Sequence, residues 1–339
     1  MNQKALALTF QQAVEGFLLN LHAEGYSQST IDIYKWGLSK FATHVPDNIQ
    51  DIEKEHLLIA FSTVRDKGLK PASIQNVWIA MRSFFNWAEK ELSLKRVDKG
   101  IPLPKASEPI IKPLSEDEIK CLLSACNNTK RATPQNRKSF SMHRPTAKRD
   151  KAIILTLLDS GLRVSELARL TISDLDLETG QITVIPYGSG LKSKPRTVFI
   201  GKLSKSTLWR YLTGRNIESE DFVFTSKENR QMNRNTIRKL LVSLGNRAEI
   251  QHVYPHRFRH TFAIQYLRNS GDIYTLQRIL GHSSLEMVKR YLAIAKADQR
   301  DLTPKYVPVL MIVQPNGFEK IGPGLKRVPG DDTQAHCAV

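Results

Sequence analysis

At 339 residues the chain is long enough for two domains of ordinary size, each with its own core. Hydrophobic residues make up 41% and mean hydropathy is -0.33, and no apolar run reaches the length that would let a helix span a membrane. The 50 basic residues outnumber the 33 acidic ones, for a formal charge of +17 and a pI near 9.8. That excess points first to a polyanionic partner, most commonly DNA or RNA, and second to a generic basic surface.

The N-terminus, Met1-Asn2-Gln3-Lys4-Ala5-Leu6, has neither the apolar stretch nor the cleavage pattern of a secretory signal. Cys121, Cys126 and Cys337 form no C-x-x-C pair and are odd in number, which favours a reducing compartment. Four helical stripes follow. Phe10, Val14, Phe17, Leu18 and Leu21 share one face, and Gly25 stops that helix. Ser29-Thr30 opens a second, striped by Tyr34, Leu38, Phe41 and Val45 and ended by Pro46. Leu57, Leu58, Phe61 and Val64 mark a third before Gly68, and Pro71-Ala72-Ser73 leads a fourth with Ile74, Val77, Trp78, Met81 and Phe85. The stripes predict a small helical bundle over residues 1–98. Trp36, Trp78 and Trp87 could stack on bases, but packing is their simpler role.

Residues 99–114 contain four prolines and follow neither the helical nor the strand period, so they are read as a linker. Ser115-Glu116-Asp117-Glu118 is a capping box for a helix running through Cys126. The polar stretch 127–149 carries Lys130, Arg131, Arg137, Lys138, Arg144, Lys148 and Arg149. It is either a solvated loop or a strip that neutralises phosphates and makes affinity salt-dependent. Ala152 to Leu158 resume a buried helix, which Gly161 breaks just before Arg163. The β-branched runs Ile182-Thr183-Val184-Ile185 and Thr197-Val198-Phe199-Ile200 flank Gly188-Ser189-Gly190 and predict a hairpin, with Lys192, Lys194 and Arg196 crowding its far side. Helices return after 203 and continue to about 300. The expected fold is mainly α with a small β-hairpin or sheet: an α-helical N-terminal bundle and a mixed α+β domain over 115–303. The tail, 304–339, holds one strand-like run, Val307 to Val313, among Gly/Pro turns.

The second domain carries an ordered set: Arg163, His256-x-x-Arg259, His282 and Tyr291. Two guanidiniums can grip a phosphate through paired N–H donors, and a phenol beside such charge can become a nucleophile. Pro255 suits the first turn of a helix on which His256 and Arg259 share a face. The spacing His252, His256, His260 invites a metal reading, but Pro255 leaves His252 outside that helix and no acidic cluster lies nearby, so no metal or cofactor is expected. Leu280-Gly281-His282-Ser283 is a turn leading into a second capping box, Ser283 with Glu286, whose helix carries Met287, Val288, Tyr291, Leu292 and Ala295.

Leu162-Arg163-Val164-Ser165-Glu166-Leu167, His256-Arg257-Phe258-Arg259-His260-Thr261-Phe262-Ala263, Leu280-Gly281-His282-Ser283 and Tyr291 together resemble the signature boxes of the tyrosine recombinase (phage-integrase) family. Order and intervals match over about 115 to 295, in the manner of simple Xer-like two-domain members. The N-terminal helices resemble the family's core-DNA-binding domain.

The resemblance implies a site-specific DNA recombinase, with a double-stranded recombination site as partner, a homo-tetramer on DNA, an accessory directionality factor as a further partner, and a cytoplasmic, nucleoid-associated prokaryotic location. It assigns Arg163 and Arg259 to the non-bridging oxygens of the scissile phosphate and His256 to hydrogen bonding or proton transfer. It assigns His282 to phosphoryl support through a ring N–H, and Tyr291 to attack, forming a 3′-phosphotyrosyl link and releasing a 5′-hydroxyl. The family's hairpin lysine, general acid for the leaving oxygen, falls on Lys192 or, because the loop is shifted, on Lys194. Glu166 orients Arg163 by analogy, and Arg196, Arg137, Lys138, Arg144 and Lys148 are candidate DNA contacts. The long 127–149 segment departs from the simplest members. No arm-binding domain is expected before the bundle, and Val307 to Val313 is expected to dock on a neighbouring protomer. The rivals are a type IB topoisomerase, a non-catalytic DNA-binding regulator and an RNA-binding module, which would explain the charge but not Tyr291.

Overall fold

The computed structural model describes residues 8–105, 110–129, 142–186 and 195–299, with residues 298 and 299 described by their backbone alone. The chain divides into two compact units, with the boundary between Ile110 and Ile111.

The first unit is four helices: α1 (Phe10–Ala23), α2 (Gln28–Ser39), α3 (Lys54–Asp66) and α4 (Pro71–Leu92). Ser27, not Ser29, caps α2, its hydroxyl accepting from the Thr30 N–H. The helix also stops at Ser39, short of the expected Pro46, and Phe41 reaches the core from the turn that follows. Phe10, Phe17 and Phe84 meet edge to face at 5.5 and 5.7 Å, a geometry that adds to the area they bury. Trp78 and Trp87 pack against this core, whereas Trp36 lies at the surface with the Lys40 ammonium 5.1 Å from its ring centre. The first part of the expected linker is tied here: Ile101 is buried, its carbonyl accepts from Trp78 Nε1 at 3.1 Å, and Pro104 accepts from Gln75 at 2.9 Å.

The second unit opens with α5 (Glu116–Ala125), which starts at the expected capping box: Ser115 Oγ accepts from the Glu118 N–H while the Glu118 carboxylate accepts from the Ser115 N–H. The residues just before α5 are held by this unit. Leu114 N–H donates to Thr261 Oγ1 at 2.8 Å, and Arg257 donates to the carbonyls of Lys112 and Pro113 and to Glu118. Next come α6 (Ala147–Ser160), α7 (Val164–Leu167), a small sheet, α8 (Lys202–Leu212), α9 (Arg234–Arg247), α10 (Pro255–Arg268), α11 (Ile273–Leu280) and α12 (Glu286–Gln299). Packed against both α8 and α10, α6 is buried without interruption from Ala152 to Leu158, which is why that run is apolar but for Thr156.

The sheet is antiparallel, in the order β1 (Leu175–Asp176), β2 (Gln181–Val184), β3 (Arg196–Phe199). The expected hairpin is its β2–β3 pair, with Ile182 opposite Val198, and β1 adds a third, shorter strand. Ile182 and Val198 face the core while Phe199 faces out, the alternation of a sheet buried on one face. At the other end of the unit, α12 begins at Glu286, so Ser283 lies outside the cap position assigned to it; the Lys289 N–H bonds to the Leu285 carbonyl.

The ends of the basic stretch are clasped by an antiparallel bridge between Asn128 and His143. Within it Arg144 pairs with buried Asp150 at 2.7 Å and reaches the Cys126 carbonyl, and Arg149 pairs with the same carboxylate and the Thr225 carbonyl. The Arg144 guanidinium is thus spent inside the fold, which corrects its reading as a DNA contact; Lys148 is exposed on α6. Lys130, Arg131, Arg137, Lys138, Lys192, Lys194 and the Val307 to Val313 run lie outside the described residues. Among the described residues no helix is long and apolar enough to cross a membrane.

Gly161 ends α6 in the left-handed region, φ +61°, and a Cβ there would run into the Phe262 ring. Gly161→Ala should therefore cost about 2–4 kcal/mol, from left-handed strain and overpacking together. Urea unfolding would read this, and an unchanged midpoint would refute the role assigned to this turn.

Candidate active site

Three arginines from three elements converge on the C-terminal end of α11. The last carbonyls of any helix lack partners within it. Here Ile279 O accepts from Arg196 Nε at 2.7 Å, Leu280 O from Arg259 at 2.6 Å, and Gly281 O from Arg163 at 3.2 Å. Gly281 makes the turn possible: it sits at φ +64°, and a Cβ would approach the Arg196 guanidinium to 3.3 Å. The helix end carries partial negative charge, so three cations gathered there are stabilised by the backbone as well as by each hydrogen bond.

Glu166 supplies the counter-charge. Arg196 holds both its oxygens, at 2.9 and 2.7 Å, and Arg163 reaches it with a guanidinium N–H at 3.1 Å and its backbone N–H at 2.7 Å. Burial alone would raise the Glu166 pKa, but Arg196 and then Arg163 outweigh it and hold the carboxyl below its ordinary value. Glu166, the residue expected to orient Arg163, thus lies in direct contact with it. Arg196, by contrast, is not a free DNA contact. Its side chain is 8% exposed and engaged by Glu166 and Ile279, so it secures the carboxylate that positions Arg163.

Arg259 lies on α10, 3% exposed, with a second bond to Gly161 O at 2.7 Å. Burial, then the nearby Arg163, push its pKa down to about 9. One carboxylate, bonded to Arg163 and Arg196, among three guanidiniums leaves net positive charge, and a phosphodiester set against it would relieve the repulsion. Arg163 is the more open clamp, its side chain 30% exposed.

The imidazoles and the phenol complete the group. His256 is exposed in the first turn of α10, while His260 lies one turn deeper, the two ring centres 6.3 Å apart. Tyr291, on α12, is 1% exposed and packs among Ala263, Leu276, Leu280 and Val288. Its Oη lies 2.9 Å from His260 Nδ1, and its ring lies 5.6 Å from the His260 ring and 6.3 Å from that of His282. Burial raises the phenol pKa against the pull of Arg259, Arg290 and Arg163. His260 falls to about 4 through burial, then His256, Arg259 and Arg290. His282 falls to about 4 through burial, then Arg259, Arg163 and Arg196. The pKa of His256 is lowered in the same way, by lost hydration and then Arg259 and Arg163. His282 Nδ1 is buried with no hydrogen-bond partner among the described residues.

Arg163, Glu166, His256, Arg259, His282 and Tyr291 thus come together, with Lys192 and Lys194 outside the described residues. Sequence reasoning missed two participants. His260 carries no role in the sequence reading, although it follows Arg259 directly and lies one helical turn from His256. Arg196 was placed on the surface because nothing local shows that Glu166 and a carbonyl from α11 lie against it. His252 adopts a left-handed conformation before α10 and stands apart from the helical pair.

Replacing Glu166 by Gln keeps its shape and removes the counter-charge. The variant should lose about 3 kcal/mol of stability at neutral pH, the cost of orphaning buried partners. Because the folded-state pKa lies below the ordinary 4.5, this difference from the wild type is complete above that value and is lost as pH falls through the depressed one. Denaturant melts of both proteins between acid and neutral pH would check this; a difference independent of pH contradicts the assignment.

Comparison with known proteins agrees with the geometry. Residues 112–298 match the phage integrase family and residues 14–92 the phage integrase N-terminal SAM-like domain. Tyrosine recombinase XerC of Salmonella typhi is 33% identical over 231 residues, 67% of this chain and 71% of that protein. The XerC of Escherichia coli O127:H6 is 32% identical over the same shares. Two solved structures share the fold. A lambda integrase dimer bound to a COC′ core site has a TM-score of 0.66 at 17% identity, covering 84% of this chain and 95% of that one. XerH bound to a palindromic difH substrate has a TM-score of 0.63 at 21% identity, covering 87% and 89%. The chain belongs to the phage integrase family of tyrosine recombinases.

Proposed function

We infer that the chain is a site-specific DNA recombinase that cuts and rejoins double-stranded DNA through a 3′-phosphotyrosyl intermediate on Tyr291. The observation that carries this reading is the convergence of Arg163, Arg259, His256 and His282 around one phenol, on an internal frame that holds the arginines in place before any substrate arrives. Preorganised donors aimed at developing charge make the largest contribution to phosphoryl transfer.

In this reading Arg163 and Arg259 bind the non-bridging oxygens and stabilise charge as phosphorus becomes five-coordinate. His256, exposed beside them, hydrogen-bonds the phosphate, and His282 supports the phosphoryl group. Tyr291 Oη forms the new bond to phosphorus and the bond to the 5′ oxygen breaks, with Lys192 or Lys194 supplying the proton to that leaving oxygen. The phosphotyrosine keeps the energy of the broken linkage, so attack by a 5′-hydroxyl reverses the step without ATP. Since Tyr291 is 1% exposed, α12 or its side chain shifts to present the phenol to DNA. Strand exchange joins two sites and so uses four protomers, in the cytoplasm, with an accessory factor able to bias its direction. The charge of +17 supports salt-dependent binding of the duplex, and exposed Lys148 is one candidate phosphate contact.

Tyr291→Phe should bind DNA normally and form no covalent product. Duplexes selected from random sequence for binding to this variant would supply the site. On nicked versions of those duplexes the wild type is expected to give a denaturation-resistant protein–DNA adduct. An adduct of equal yield from Tyr291→Phe would overturn the assignment.

A further inference from the structure

We propose that His260 is the general base that takes the proton from Tyr291 when the phenol attacks phosphorus. This rests on the recombinase reading above and adds to it the group that activates the nucleophile. The bond-making step then balances: Tyr291 Oη bonds to phosphorus, its proton passes to His260 Nδ1, and the electron pair of the broken bond leaves on the 5′ oxygen. On rejoining, the resulting imidazolium returns the proton to the departing phenolate.

The geometry separates two tasks along one helix. His256 and His260 lie one turn apart on α10, their ring centres 6.3 Å from each other, with His256 exposed and His260 half-buried. Among the described contacts the Tyr291 hydroxyl meets His260 Nδ1, at 2.9 Å, well inside the range for proton transfer. With the ring proton on Nε2, Nδ1 is free to accept from the phenol. The charged and titratable groups around His260 are His256 and Arg259 on its own helix, Arg290 and Tyr291 on α12, and His282 on the turn after α11. Burial and this positive company keep the ring unprotonated in the free chain, and the negative charge of a bound phosphodiester offsets the same arginines when a proton has to be taken up.

The contact also fits the movement that attack requires. Tyr291 must come within bonding distance of the phosphorus held by Arg259, and Arg259 is the residue next to His260. The phosphate clamp and the proposed base thus belong to the same turn of α10. A purely structural partner of Tyr291 would need only to accept a hydrogen bond, whereas a base must also take the proton, and substitution separates the two.

His260→Asn keeps a polar acceptor near the place of Nδ1 without its basicity, and His260→Ala removes both. Single-turnover cleavage of the nicked duplexes would be followed for both variants from neutral to alkaline pH, with DNA affinity and thermal unfolding compared with the wild type. If His260 is the base, both variants lose about 10²–10³-fold at neutral pH. The deficit then shrinks about tenfold per pH unit as hydroxide supplies the phenolate directly, and added imidazole restores part of the rate to His260→Ala. A deficit that does not change with pH, full activity in His260→Asn, or cleavage as fast as the wild type in His260→Ala would each overturn the proposal. Should His260→Ala fail to fold, the pH profile of His260→Asn decides alone. Adduct formed on Tyr291 at high pH in these variants would leave the recombinase reading intact, whereas adduct from Tyr291→Phe would remove it.

Discussion

The end of α11 leaves three carbonyls, those of Ile279, Leu280 and Gly281, without partners in their own helix, and each accepts from a different arginine. Cations placed this close repel one another, and burial strips them of water. The backbone dipole and the Glu166 carboxylate make the arrangement tolerable, while Gly161 O fixes Arg259 from the opposite side. Every other feature of the site follows from this knot. It draws α6, α7, β3, α10 and α11 to one point, and it sets the arginines before a substrate is present. Rigid donors of this kind need no reorganisation during reaction, which is where electrostatic catalysis gains most.

The same positive field sets the character of the neighbouring groups. His260 and His282 are neutral at physiological pH because burial and the arginines both disfavour a further charge. A neutral imidazole can accept a proton or donate one from its remaining N–H, so these rings suit proton movement and phosphate contact better than fixed charge would. Tyr291 feels two opposing influences. Burial raises its pKa, while Arg259, Arg290 and Arg163 pull it down, and in the free chain burial dominates. The phenol is therefore stored protonated and out of solvent.

Much of this was legible in the sequence, for local reasons. The capping box at Ser115, Pro255 at the start of α10 and the apolar run from Ala152 to Leu158 are short-range signals, and each marks an element where the structure has one. The spacing of Arg163, His256, Arg259, His282 and Tyr291 pointed to the site because those residues occupy fixed places on such elements. What stayed hidden depends on distant backbone. Arg196 reads as one of a row of surface cations until Ile279 O and Glu166 are seen against it, and Arg144 until buried Asp150 is. Ser283 and Ser29 satisfy the capping pattern yet neither caps, because nearby residues, Leu285 and Ser27, hold those positions instead. His260 bonds to a residue 31 positions away, and no periodicity within α10 distinguishes a histidine facing α12 from one satisfied in a core.

On the recombinase reading, the frame around α11 serves one nucleophile, Tyr291. The most direct test is to form the adduct between the wild-type chain and a nicked duplex, digest both components, and locate the linked nucleotide by mass spectrometry. The expected product is a single modified peptide, with Tyr291 esterified to a 3′-phosphate and a free 5′-hydroxyl on the other DNA end. Attachment at another residue, or through a 5′-phosphate, would contradict it.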